Sequence, residues 1–424
     1  MYSSLQNQPS NHVLTCLALT CGLLTASLQS VAADDDGASL DVTLRERVTY
    51  RSAINFDDSD PDAGWFWTQR LNLAGEYRQA GFTARLNLLS ALQEGSADSP
   101  IERNVLDAQE AWLQFGSERA SARFGRQEFR PGAQRLIGWR DGTNVRRVWD
   151  GLRTNLAGDR WSVDVFALQL VDVEVNGAFN DSSDEDRRLA GVYSTTQWAL
   201  TDIDLYVLYT RFDDRATAEG LANQERYTVG TRVFGDYQRW FWDWEALLQF
   251  GRHGEADIET WSLATNTGYR FDAPWQPEVM VSINVASGDS DPGDGKLETF
   301  DALFPRGNYF SELAQLGPSN FYNFNPYLRF SPHEDVAVSM DLDLYWRLET
   351  ADGVYGPPGN LLRAPEGSTE RFVNSALSAS LEWTPSERRL FGITLTHSRP
   401  EAFLDETGPA DDTNFVEFTF EMRF

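Results

Sequence analysis

The 424-residue chain carries 64 acidic residues against 36 basic ones, a formal net charge of −28, and only two cysteines. Both cysteines, Cys16 and Cys21, lie within the first 33 residues, so the rest of the chain can form no disulfide and offers no thiol nucleophile. Outside that segment the histidines, His253, His333 and His397, are far apart, and no zinc-binding or serine-nucleophile motif occurs. We therefore expect no enzyme, no metal and no cofactor, and no nucleic acid as a partner.

The first 33 residues contain no Lys, Arg, Asp or Glu, and an apolar run extends from Val13 to Leu28. This run is too short for a transmembrane helix and precedes a small-residue cleavage site that ends at Ala32 or Ala33. The pattern predicts a secretory signal peptide over 1–33, although the usual Lys or Arg near its start is missing. The expected organisation is then a signal peptide, 1–33, followed by one domain, 34–424.

From residue 38 onward, successive segments alternate apolar and polar side chains with period two, as strands with one apolar face do. In 336–348, for example, Met340 and Leu342 alternate with Asp341 and Asp343. These segments are about ten residues long and carry charges at their centres, as expected of a wall between lipid and water. Strands of a soluble sandwich are usually shorter and pack against a second sheet.

Eighteen such segments can be counted, and an even number is typical of antiparallel barrels in bacterial outer membranes. The predicted strands are 38–51, 65–78, 82–92, 107–116, 120–126, 148–157, 161–173, 187–196, 201–212, 225–235, 240–250, 258–271, 277–287, 321–330, 336–348, 371–384, 389–398 and 414–424. Connections after even-numbered strands are short, whereas most of those after odd-numbered strands are long and acidic or glycine-rich. The sequence therefore predicts an all-β transmembrane barrel with short periplasmic turns and long extracellular loops, in the outer membrane of a Gram-negative cell.

Aromatic residues support the same architecture. Tryptophans cluster at the ends of predicted strands, as expected for girdles at the two membrane interfaces; they are Trp65, Trp67, Trp161, Trp240, Trp242, Trp244 and Trp383. The last strand alternates Phe418, Phe420 and Phe424 on one face, which resembles the terminal signature of proteins folded by the barrel assembly machinery. We expect that machinery as a partner, together with outer-membrane lipid and lipopolysaccharide.

One stretch reverses the acidic character of the chain, because between 119 and 153 nine arginines stand against three acids. Crowded like charges repel one another unless a partner or a ligand compensates them. The arginines are Arg119, Arg123, Arg126, Arg130, Arg135, Arg140, Arg146, Arg147 and Arg153. Many of them fall in the predicted long connection 127–147, which would make a narrow electropositive constriction if it folded into the lumen.

This stretch and the segment 286–320 together resemble the alginate export family of outer-membrane porins. In the first stretch the resemblance rests on GRQE at 125–128, RLIG at 135–138, RD at 140–141, Arg147, DG at 150–151 and Arg153. In the second it rests on SGD at 287–289, DGK at 294–296, TF at 299–300, LFPRG at 303–307 and GP at 317–318. Trp149 departs from the pattern, which has Phe at this position.

The resemblance implies an eighteen-stranded barrel with an arginine-lined passage for an anionic uronate polymer. The residues expected to line the passage are Arg47, Arg85, Arg126, Arg135, Arg140, Arg146, Arg147, Arg153 and Arg347, with Glu128, Asp141 and Asp150 as supporting acids. Guanidinium groups suit this role because they bind carboxylates bidentately and stay charged. Alternatively, each arginine pairs with a wall acid such as Glu110 and braces the loop.

Three functions remain open from the sequence. The first is a channel for an anionic polysaccharide such as alginate or its oligomers, with periplasmic secretion proteins as possible partners. The second is a general anion-preferring porin for small organic acids or other solutes. The third is a hydrolase on a barrel scaffold, which is disfavoured because the adjacent His397 and Ser398 would point to opposite faces of a strand.

Overall fold

The computed structural model describes residues 37–424, so the signal peptide predicted over 1–33 lies outside the described residues. Eighteen strands form one antiparallel barrel in which chain neighbours pair with each other. In chain order, β1 to β18 are Gly37–Arg51, Gly64–Gln79, Phe82–Glu94, Asn104–Ser117, Ala120–Gln127, Trp149–Ala157, Trp161–Asp172, Ser182–Trp198, Thr201–Thr217, Gly220–Tyr237, Trp240–His253, Ala256–Arg270, Glu278–Ala286, Phe321–His333, Val336–Arg347, Phe372–Ser386, Arg389–Pro400 and Thr413–Arg423. All eighteen predicted strands are confirmed.

The barrel closes between its first and last strands. β1 pairs antiparallel with β18 in a register that places Thr43 opposite Arg423 and Arg51 opposite Phe415. Closure matters because backbone groups in a hydrocarbon layer have no water to bind, and each unpaired group costs several kcal/mol. Within residues 37–424 no helix is long and apolar enough to cross a bilayer.

The period-two pattern places apolar side chains outside and polar side chains inside. In β9, Leu205 and Val207 are exposed on the outer face, whereas Asp204, Tyr206 and Leu208 are buried inside. The outer band includes exposed tryptophans near strand ends, as predicted: Trp65, Trp161, Trp240 and Trp383. The expectation for Trp67 is wrong, because its buried indole points inward and donates a hydrogen bond to Glu46 at 2.7 Å.

The two ends of the barrel differ in the length of their connections. Turns at one end have between two and seven residues, and Gly81 adopts a φ of 74° in the two-residue turn 80–81. The opposite end carries the long connections 52–63, 95–103, 128–148, 173–181, 287–320, 348–371 and 401–412. Two connections at that end, 218–219 and 254–255, are short, because β9 to β12 continue as hairpins.

Two of the long connections fold into the barrel and supply much of its apolar core: 128–148, here called L3, and 287–320, here called L7. The ring of Phe304 in L7 packs edge-on against Trp149 at 4.7 Å and stacks with Phe212 of β9 at 5.4 Å. The connection 348–371, here called L8, contains a small antiparallel pair, Val354–Tyr355 with Leu361–Arg363, and 401–412 contains a short helix, Ala402–Thr407. The lumen is therefore partly filled by its own loops.

Candidate functional site: the barrel lumen

L3 is anchored to the wall formed by β1 to β3. The buried guanidinium of Arg45 donates to the carbonyls of Asp141 and Thr143 at 2.7 and 2.6 Å. The side chain of Arg70 pairs with the Asp141 carboxylate at 3.0 Å. The Asn144 amide donates to the carbonyls of Gln69, Leu92 and Glu102. These contacts fix the returning half of L3 against one side of the barrel.

The other half of L3 is anchored across the lumen. Arg135 pairs with Asp243 and Glu245 of β11 at 3.1 and 2.8 Å. Gly138 and Leu136 exchange backbone hydrogen bonds with Phe304 of L7, each at 2.8 Å. Because L3 is held at opposite walls, it forms a fixed strap across the barrel.

This strap lies between two cavities that share no lining residue. Cavity A, of about 790 Å³, is bordered by L3 residues 133–142, L7 residues 306–312, β1 and β11 to β18. Cavity B, of about 630 Å³, is bordered by L3 residues 128–132 and by β2 to β8. The strap therefore divides this part of the lumen into two compartments.

The partition between the compartments is a stack of charged and aromatic side chains. Arg130, which lines cavity B, lies over the indole of Trp139, which lines cavity A, at 4.0 Å. Arg146 lies against the same ring at 4.2 Å and pairs with Asp141 at 2.6 Å and Glu128 at 3.5 Å. Ring, guanidinium and carboxylate groups thus hold one another in place.

Cavity B contains two arginines that form no ion pair within the described residues. Among the described residues, Arg123 and Arg130 have no acid within 4.0 Å, whereas Arg85 and Arg153 pair with wall acids. Arg123 lies over the indole of Trp112 at 3.7 Å and donates to the Gln114 amide oxygen. A cation held by a ring or a neutral amide is immobilised yet keeps its full charge for a ligand.

The surface of cavity B continues toward the short-turn end of the barrel. A third cavity there, cavity C, has a volume of about 640 Å³ and shares Arg78, Arg123 and Arg153 with cavity B. Glu118 is the acid among its lining residues. Cavities B and C together form a continuous strip lined by five arginines and five acids, in which Arg123 and Arg130 are the arginines without an ion pair among the described residues.

Cavity A is more acidic, because seven acids and four arginines line it. Arg306 of L7 lies on its surface and, within residues 37–424, has no acid within 4.0 Å. Asp341, which also lines the cavity, accepts a hydrogen bond from Asn325 rather than from an arginine. The two compartments therefore present different chemistry to a solute.

Four of the arginines expected in the passage do line these cavities, each paired with an acid. Arg47 lies in cavity A beside Glu417 at 3.5 Å, and Arg135 lies there with its two β11 partners. Arg85 lies in cavity B beside Glu110 at 2.7 Å, and Arg153 lies there beside Asp164 at 2.8 Å.

Three further candidates lie within the wall or the strap rather than on a cavity surface. Arg126 pairs with Asp150 at 3.0 Å and with Asp107 at 3.4 Å. Arg146 belongs to the partition described above. Arg140 lines none of the cavities described here, and its Nε is buried without a hydrogen-bond partner in the described part of the chain. The supporting acids Glu128, Asp141 and Asp150 each pair with an arginine of the predicted set.

The remaining two, Arg147 and Arg347, are buried and bind backbone carbonyls, so a lining role is not supported for them. Arg147 is 8% exposed and donates to the carbonyls of Gly138, Phe304 and Pro305, which joins L3 to L7. Arg347 is 0% exposed and donates to four carbonyls of L8, those of Thr350, Asp352, Ser368 and Glu370. Both arginines brace loops.

The structure adds cavity-lining arginines that the sequence-based selection omitted, namely Arg45, Arg78, Arg123, Arg130 and Arg306. For Arg123 the alternation of polar and apolar residues along β5 could have predicted the inward orientation, because its neighbour Phe124 is 67% exposed on the outer face. A side chain next to an outward one in a strand points inward. For Arg130 and Arg306, which lie in loops, no such periodicity applies.

Two acids of L3 have shifted pKa values. Burial alone would raise the pKa of Asp141, but Arg146, Arg70 and Arg45 outweigh it and hold that pKa well below the usual range. Its ion pairs therefore persist to low pH and are lost only as the pH falls through this depressed value. Burial raises the pKa of Glu128 to about 6, against the lowering effect of Arg146.

Comparison with known proteins identifies this architecture. The family model described as alginate export matches residues 31–416. The chain belongs to the alginate export family. A search of curated proteins found no match.

Solved structures share the fold at low sequence identity. OccD3 (OpdP) of Pseudomonas aeruginosa superimposes with a TM-score of 0.63 at 14% identity, covering 93% of each chain. OccAB3 of Acinetobacter baumannii gives 0.62 at 9% identity, covering 91% of this chain and 99% of that one. OccK2 (OpdF) of P. aeruginosa, solved in complex with glucuronate, gives 0.61 at 10% identity, covering 91% and 98%.

The family and the closed eighteen-stranded barrel make this alginate export family member an outer-membrane channel. Its short turns then face the periplasm and its long connections face the exterior. Cavities B and C accordingly lie between L3 and the periplasmic end.

Proposed function

We propose that the channel passes carboxylated sugar chains or their oligomers along cavities B and C, with Arg123 and Arg130 as the principal anion-binding residues. The observation that carries this proposal is that rings and a neutral amide, rather than carboxylates, hold these two guanidinium groups. A uronate supplies one carboxylate per sugar unit, and a guanidinium can bind that group bidentately.

The paired arginines Arg85 and Arg153 have a secondary role in this proposal. Their side chains remain 26% and 29% exposed beside their carboxylate partners. A carboxylate of the solute can therefore replace the wall acid as the partner of the guanidinium group at these positions. Weak, repeated sites of this kind favour conduction, because binding must be reversible at every step.

A second candidate is a porin for small organic acids, in which the same arginines bind single carboxylates. The size of cavity B favours it, because about 630 Å³ lies in the range that one small ligand fills. Glucuronate bound to OccK2, which shares this fold, is a small acid of this type. The two candidates differ in whether several linked units bind better than one.

Single-channel recording in planar bilayers tests the proposal with the double variant Arg123→Gln, Arg130→Gln. Loss of a charge-assisted contact worth roughly 1.5 kcal/mol weakens binding about tenfold. We expect block by uronate oligomers to weaken by about that factor per arginine and the anion-to-cation permeability ratio to fall. The matched control is Arg119→Gln, Arg239→Gln, which removes the same charge from exposed ion pairs in periplasmic turns.

Unchanged block in the double variant would contradict the proposed site. Equal block by glucuronate monomer and by oligomers of the wild type would favour the small-acid candidate over a polymer channel. The expected partners, namely the barrel assembly machinery, lipopolysaccharide and periplasmic secretion proteins, stay predictions.

A further inference from the structure

Cavity A has a chemistry that the anion route does not use. Its wall on β12 to β17 is rich in amide and hydroxyl side chains, and its acids outnumber its arginines. An anion is therefore disfavoured in this compartment, although it is the largest of the three described. The lining of cavity A therefore suits a solute other than an anion.

Several of these neutral groups have free hydrogen-bonding capacity. Within the described residues, the side chains of Asn266, Ser282 and Ser339 line the cavity and make no hydrogen bond to another protein group. Amides and hydroxyls both donate and accept, whereas guanidinium groups only donate and carboxylates only accept. A sugar hydroxyl also does both, so it matches a mixed amide and hydroxyl wall.

The partition makes this compartment separate from cavity B. The Arg130, Trp139 and Arg146 stack lies between the two cavities, and Glu128 and Asp141 fix it by ion pairs. A change on the far wall of cavity A, in β16 or β17, therefore leaves Arg123 and Arg130 in place.

From these observations we infer that cavity A is a second route, which takes uncharged, polyhydroxylated solutes such as neutral sugars independently of the anion route. Hydroxyl groups of the solute exchange water for the amide and hydroxyl side chains of β12 to β17. The neighbouring acids offer further acceptors and repel competing anions. The contrast with glucuronate rests on the function proposed for cavities B and C, whereas the effect of Gly392→Trp on swelling in sucrose tests cavity A by itself.

Selective narrowing of each compartment tests the inference. Gly392 of β17 lines cavity A, and a Cβ atom there would meet Thr419 Cβ at an ordinary 3.5 Å, so Gly392→Trp adds bulk without a backbone clash. Its matched control is Thr83→Trp of β3, which lines cavities B and C. Liposome swelling in sucrose and in sodium glucuronate measures the two routes, and heat-modifiable gel mobility verifies that each variant has folded.

We expect Gly392→Trp to slow swelling in sucrose severalfold with little effect in glucuronate, and Thr83→Trp to do the reverse. A triple variant, Asn266→Leu, Ser282→Ala, Ser339→Ala, keeps cavity A open and removes its polar groups that lack a protein partner. Liposomes that contain this variant should also swell more slowly in sucrose. If Gly392→Trp and Thr83→Trp slowed swelling equally in sucrose and in glucuronate, the inference of two separate routes would be overturned. Unchanged sucrose swelling in the triple variant would overturn recognition by hydroxyl contacts.

Discussion

At the scale of single residues, the partner of each arginine decides its role. A guanidinium beside a carboxylate forms a nearly neutral pair, as Arg126 does with Asp150. One that binds carbonyls, such as Arg347, holds a loop. One that lies over a ring, such as Arg123 over Trp112, is fixed in place and still charged. Only the last kind offers a full charge to a solute.

Arg347→Ala should release L8 without changing ion selectivity. The substitution leaves four carbonyls without their shared donor, and unsatisfied buried groups cost about 1–3 kcal/mol each where water cannot reach them. We expect a local loss on the order of 3–5 kcal/mol. Limited proteolysis should then cut within 348–371 while reversal potentials stay as in the wild type. A large selectivity change with an intact L8 would show that Arg347 faces the route after all.

Protonation of Glu128 should increase anion preference in mildly acidic solution. Its pKa is raised to about 6, so it is ionised at pH 7 and largely neutral at pH 5. When it is neutral, Arg146 and Arg130 beside the partition lose an opposing charge. Reversal potentials between pH 7 and pH 5 should show a rising anion-to-cation permeability ratio.

The control for this prediction is Glu128→Gln, which is neutral at every pH. In this variant the ratio at pH 7 should already resemble that of the wild type at pH 5. A wild type whose ratio does not change with pH, or a variant that still responds fully, would exclude Glu128 as the titrating group.

At the scale of elements, L3 is defined by its anchors rather than by secondary structure. Arg45, Arg70 and Asn144 bind it to one wall, and Arg135 binds it to the opposite one. On the β11 side the direct contact with the wall is a single side chain, because the backbone hydrogen bonds of Leu136 and Gly138 join L3 to L7 rather than to a strand. L3 should therefore loosen first on the β11 side.

Arg135→Gln tests which anchor holds the strap. The change removes both ion pairs with Asp243 and Glu245 and costs locally about 3 kcal/mol, since a partly buried acid loses its partner. We expect a higher single-channel conductance with larger fluctuations. Arg239→Gln, which breaks an exposed turn pair with Asp272, should leave the conductance unchanged. A lower or steady conductance in Arg135→Gln would mean that L3 is held from the β1 to β3 side alone.

The strands could be predicted from the sequence because their signal is local. Every strand repeats an apolar and polar alternation, and the repeat identifies the inward face even for Arg123. The ends of β8 to β10 were predicted too short, because these strands continue beyond the apolar band, where the alternation no longer separates lipid from water.

The site could be predicted only in part, because its contacts are long-range. Arg147 binds the carbonyl of Phe304, 157 residues away, and no spacing in the sequence shows that L3 meets L7. Arg126 and Arg130 look alike in the sequence, yet one meets Asp150 and the other meets Trp139. The local excess of arginine in the sequence therefore predicted the position of L3. It could not distinguish the arginines that hold L3 in place from those without an ion pair.

At the scale of the whole molecule, the excess of acidic over basic residues lies mainly in the external connections other than L3, whereas L3 itself has more arginines than acids. Exposed charges act over about 8 Å at physiological ionic strength, so the rim and the strap should act separately. This separation would let an acidic protein present arginines without ion pairs to a solute in its lumen.

Neutralising rim acids tests that separation through Asp57→Asn, Asp58→Asn and Asp60→Asn in the connection 52–63. We expect an unchanged permeability ratio at physiological salt. At about 0.01 M salt the screening length grows to about 30 Å, and the same variant should then become more anion-selective. Reversal potentials at both salt concentrations measure this effect. A shift already present at physiological salt would place the rim within electrostatic reach of the strap.

The partition between Arg130 and Trp139 also affects the electrical record of a single pore. An oligomer lodged in one compartment leaves the other open to ions, so occupancy should reduce the current to an intermediate plateau instead of interrupting it. The height of that plateau would then report how the cross-section is shared between the two compartments.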